Sequence, residues 1–119
     1  MQQITEKQMA AMAQARLTEF VTTTVRRVTD AFPTQLDVAG LSGQDLETAV
    51  ARWIESARGH GLRTRRQMAL YVDACVLLGE PCLSGDACPP LATTLHDPFV
   101  APELKAEFLR DYLLFACRT

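Results

Sequence analysis

Apolar residues recur along this chain at steps of three and four, the spacing that gathers them on one face of a helix. Met9, Met12, Ala13, Leu17, Phe20, Val21, Val25 and Val28 trace such a stripe and predict a long first helix over residues 6–31. Thr5 with Gln8 forms a capping box at its start, and Phe32-Pro33 ends it, because a residue before proline is pushed out of the helical region. Thr22, Thr23 and Thr24 lower the intrinsic propensity of this helix by a few tenths of a kcal/mol each, which packing outweighs. Residues 34–41 read as a connector.

A second stripe, Leu46, Ala49, Val50, Trp53, Ile54 and Ala57, predicts a helix opened by Ser42, with Asp45 in the capping-box position. Gly59 and Gly61 accept positive φ and stop it, and Leu62 is expected to tuck back against its apolar face. Thr64 and Gln67 form a further capping box. From Met68 to Leu78 the only charge is Asp73. A helix apolar on every side belongs in the interior. Gly79 before Glu80-Pro81 ends it. The stretch to Pro90 has no period and is rich in turn formers. Pro89-Pro90 then opens a short helix over Leu91 and Leu95, closed by Asp97-Pro98. Pro102 opens the last helix, whose apolar face runs through Leu104, Phe108, Leu109, Tyr112, Phe115 and Ala116. The expected fold is all-α. It is a single domain, a compact bundle of four main helices plus one short one around the central apolar helix 65–78.

Composition fits that picture. Hydrophobic residues make up 48% and charged residues 22% of the 119 positions, a globular balance. Glu6, Lys7, Arg16 and Glu19 are out of place in a signal peptide, and no apolar run reaches membrane-spanning length. The expected compartment is the cytoplasm, with no membrane partner. The net charge of −2 is unevenly placed, since residues 52–66 hold five arginines against Glu55 while the rest of the chain is acidic. A basic turn on an acidic body suits a docking point better than a surface that coats nucleic acid.

The chemistry-bearing residues give little. Cys82 and Cys88 have five residues between them, wider than the two to four usual for a structural zinc pair, so no metal and no cofactor is expected. A Cys82–Cys88 disulfide is disfavoured in a cytoplasmic chain. Cys75 and Cys117 read as small buried hydrophobes. His96 sits beside Asp97, but adjacent side chains on a helix diverge. No motif assembles Ser84 or Cys82 with that histidine, and no enzymatic activity is expected. Asp73 is read as a structural buried acid that needs a partner, Arg26 or Arg27. The partner-binding candidates are Arg58, His60, Arg63, Arg65 and Arg66 around the start of the central helix, where free backbone N–H groups favour anions, together with Trp53. A helix–turn–helix regulator is the alternative, with 65–78 as recognition helix. Past Gln67, however, only Tyr71 and Asp73 of that helix offer groups for a base.

Phe32-Pro33, the basic turn Arg58–Gly61, Arg65-Arg66, Tyr71-Val72-Asp73, Gly79, Pro89-Pro90, Asp97-Pro98 and the helix Leu104–Tyr112 follow one another in an informative order. That order resembles small helical accessory proteins of Gram-negative type VI secretion loci. The resemblance covers about three quarters of the chain. Cys82 and Cys88 stand where that pattern often has Asp and aromatic residues. The resemblance implies a non-enzymatic protein that binds a secreted effector or spike component, as an adaptor or chaperone that loads it or as an immunity protein that neutralises it.

Overall fold

The computed structural model describes residues 6–79 and 89–118. Among the described residues it holds six helices and no strand: α1 (Glu6–Ala31), α2 (Pro33–Ala39), α3 (Gly43–Gly59), α4 (Arg65–Leu78), α5 (Pro89–His96) and α6 (Pro102–Arg118). Thr5, Cys82, Ser84 and Cys88 lie outside the described residues, as does the side chain of Cys117, and so do the expectations attached to them.

α4 is the hub, packed against α1, α2, α3 and α6. Met68, Tyr71, Val72, Ala74 and Cys75 are buried, and every other residue from 69 to 78 is at least partly covered. This is the environment its nearly uniform apolar sequence requires. The capping box forms as expected. Thr64 Oγ1 accepts from the Gln67 amide (3.1 Å), and Gln67 Oε1 accepts from the amides of Arg63 (3.1 Å) and Thr64 (3.3 Å).

The α3–α4 turn is a Schellman motif. Gly61 has φ +89°, its amide donates to the Arg58 carbonyl, and the Leu62 amide reaches back to Ala57 (3.0 Å each). Leu62 and Ala57 are both fully buried, so the expected tuck is present. A Cβ on Gly61 would lie 3.3 Å from Pro102 Cγ. The turn is therefore wedged against the start of α6.

Four expectations are corrected. Residues 33–39 are a helix, not a connector. Pro33 both ends α1 and supplies the first position of α2, and a segment of seven residues is too short to show a period. Ser42 sits at the start of α3 in extended conformation, but its side chain makes no capping bond. Gly43 follows with φ +54°, and the Asp45 amide, the one a capping hydroxyl would take, donates to the Ser42 backbone carbonyl instead (3.2 Å). Asp73 is not sealed in the core. Its carboxylate keeps 19% exposure at the edge of α4 and receives both guanidinium nitrogens of Arg27, not Arg26, at 2.7 and 3.2 Å. Trp53 is a core residue at 4% exposure and offers no surface for a partner; its indole N–H is buried without an acceptor.

The stripe on α1 is only half used. Residues 6–16 are all exposed, Met9 and Met12 included, and burial begins near Leu17 and Phe20. A helix of 26 residues extends about 39 Å, and the body is too small to cover it. The radius of gyration, 15.5 Å, accordingly exceeds the roughly 13–14 Å of a compact chain of this length. Within α1 the hydroxyls of Thr18, Thr22 and Thr29 bond back to the carbonyl four residues earlier.

Candidate functional site: the basic turn and the cavity beneath it

The arginines around the α3–α4 turn are exposed but fan out in different directions. Arg58 pairs with Glu55 one turn back (3.5 Å). Arg65 faces α1, its guanidinium 5.8 Å from the centre of the Phe20 ring, a cation–π distance. Arg66 turns the other way, towards a shallow depression shared with Glu103, Glu107 and Arg110 of α6. Arg63 lies just before the capping threonine. Arg63, Arg65 and Arg66 have no carboxylate at ion-pair distance among the described residues. The turn thus presents cationic groups on several sides of one rigid helix start, not one flat patch.

His60 departs from its neighbours. It is half-buried and faces inward, into a cavity of about 650 Å³ under the turn. Its ring lies 4.7 Å from that of His96 on α5, edge to face, and 5.6 Å from that of Tyr71 on α4. Lys105, on α6, is 5% exposed, and its Nζ donates to the His60 carbonyl at 3.0 Å. That carbonyl is one of the groups left open where α3 ends, so the ammonium also faces the negative end of the helix dipole. Desolvation pushes the His60 imidazole below its ordinary pKa of 6.5, the nearby His96 and Lys105 push it the same way, and a hydrogen bond to the Leu95 backbone opposes them.

Of the candidates named from sequence, the cavity takes only His60. Lys105 was not singled out, Tyr71 was named only as a possible base contact and as part of the Tyr71-Val72-Asp73 motif, and His96 was weighed only beside Asp97 and with Ser84 or Cys82. No spacing rule finds the cluster, because Lys105 and His60 are 45 residues apart and the four side chains come from four different elements. Among the described residues no three His, Cys, Asp or Glu side chains converge as a metal site. Among the described residues the cavity wall carries no carboxylate: its titratable groups are Lys105, two imidazoles and a phenol, with the Ser56 hydroxyl beside them. Such a set donates hydrogen bonds and positive charge.

The fold and the site together define an all-α domain with a basic turn above a carboxylate-free cavity. No protein family, no curated protein and no solved structure matches this chain.

Proposed function

We propose that this chain is a non-enzymatic protein-binding accessory protein of a type VI secretion locus. It works in the cytoplasm as an adaptor or chaperone for a secreted effector or spike component, or as an immunity protein against the effector. The order of motifs from Phe32 to Tyr112 supports the family reading. The observation that carries the binding mode is the set of exposed arginines, Arg63, Arg65 and Arg66, held at a capped helix start without carboxylate partners among the described residues. Guanidinium groups on a rigid support are common anchors in protein interfaces. α4 spends its own faces on the core, so it has none left to lay in a DNA groove. No described helix is long and apolar enough to cross a membrane.

The test is co-expression of the tagged chain with the effector and spike components of its own locus. We expect a stable complex with one of them, weakened in the Arg63→Glu, Arg65→Glu, Arg66→Glu triple variant. Absence of any complex overturns the reading, and retention on DNA with steep loss as salt rises would replace it with the helix–turn–helix regulator.

A further inference from the structure

We infer that the cavity beneath the α3–α4 turn is a binding site for an oxyanion, a carboxylate or phosphate group held by Lys105, His60 and His96. Three observations carry it. Lys105 is buried, yet among the described residues the one acceptor at its ammonium is the neutral His60 carbonyl. An ammonium has three N–H donors, and a buried cation is costly without a counter-charge. Next, the two imidazoles lie edge to face at 4.7 Å on the same wall, each able to donate when an anion arrives. Finally, about 650 Å³ of space is open at this point, and among the described residues no carboxylate in its wall competes for the cation.

Among the described residues the wall holds Ser56 and His60 from α3 and its turn, Tyr71 from α4, His96 from α5 and Lys105 from α6, and no acid. An anion seated among them would stabilise a charged His60, so occupancy draws a proton onto that imidazole and binding tightens as pH falls. The oxyanion belongs either to a free small molecule or to an acidic side chain of a bound protein. The chemistry is the same in both cases. The site does not depend on the accessory reading, because it is measured on the isolated chain.

The experiment follows the histidine ring protons by NMR while inorganic phosphate is titrated at constant ionic strength, with chloride as control. A parallel titration uses an end-blocked peptide carrying a single glutamate. We expect saturable shifts of the His60 and His96 signals, a rise in the His60 titration midpoint at saturation, and binding at least about tenfold weaker in Lys105→Met. Because Lys105 also closes the end of α3, His96→Gln, altered at an exposed residue, is the second variant. It is expected to weaken binding severalfold while the amide spectrum of α4 stays unchanged. Saturation by phosphate assigns the site to a free anion, and saturation by the peptide alone assigns it to a partner's acidic side chain. Shifts that stay linear for both probes, match chloride and are unaltered in His96→Gln overturn the inference. Loss of partner capture in the arginine variants with the phosphate response intact would separate the two sites.

Discussion

The ammonium of Lys105 and the backbone carbonyl of His60, 45 residues apart, meet at 3.0 Å and tie the start of α6 to the end of α3. The same turn is held from the other side by Gly61, where a Cβ would press on Pro102 Cγ at 3.3 Å. One short loop therefore positions the basic turn above and the cavity below.

That tie sets the first prediction. Lys105→Ala should destabilise the protein by about 1–3 kcal/mol, through an unpaired carbonyl and a lost aliphatic stem. Lys105→Met should cost less, because it restores the volume and removes a buried charge. Urea unfolding of both variants checks the order.

Glycine substitutions separate conformational strain from intrinsic propensity. Gly61→Ala meets both a φ of +89° and a 3.3 Å contact, and should cost about 1–3 kcal/mol. Gly59→Ala meets open space at the end of α3 and should be neutral or stabilising by up to about 1 kcal/mol. Equal thermal midpoints for the two variants would contradict the turn geometry.

The pH dependence follows from His60. Its folded pKa lies below 6.5, chiefly through desolvation. As pH falls through 6.5 the unfolded chain takes up a proton at this position before the folded chain does, so stability declines, and this contribution levels off below the folded value. His60→Gln should flatten that part of the profile. Urea midpoints measured across mildly acidic pH, with the variant as reference, show whether it does.

Arg27 and Asp73 lock α1 to α4 by a two-point contact at the edge of the core. Both remain partly solvated, so a double-mutant cycle with Arg27→Met and Asp73→Asn should give a coupling of only about 0.5–1 kcal/mol. That figure should shrink in high salt. A coupling several times larger would mean a desolvated pair.

Substitutions along α1 should report where its stripe stops being core. Val28→Ala, at a fully buried position, should cost about 1–3 kcal/mol, while Met9→Ala and Met12→Ala should change stability by less than about 0.5 kcal/mol. Thermal unfolding of the three variants makes the comparison.

The helices themselves were legible because their signals are local. The Thr64–Gln67 capping box, the double glycine at 59 and 61, the charge-poor run after Met68 and the Pro102 start each act within a few residues. The observed starts of α4 and α6 stand where those signals do. α2 escaped notice because Pro33 is read equally well as an end and as a beginning. Ser42 was placed correctly but misread in its bonding, which depends on the φ of its neighbour.

What the sequence determined by itself was the all-α class, the interior place of α4 and the basic character of the turn, since periodicity, caps and charge are properties of neighbours along the chain. Tertiary structure alone decided that Trp53 is core, that Asp73 takes Arg27, that α1 outruns its support, and that His60 turns inward to join Tyr71, His96 and Lys105. Those outcomes rest on where separate helices come to lie against one another. Side chains tens of residues apart meet only through that packing, and no local rule encodes the distance between them.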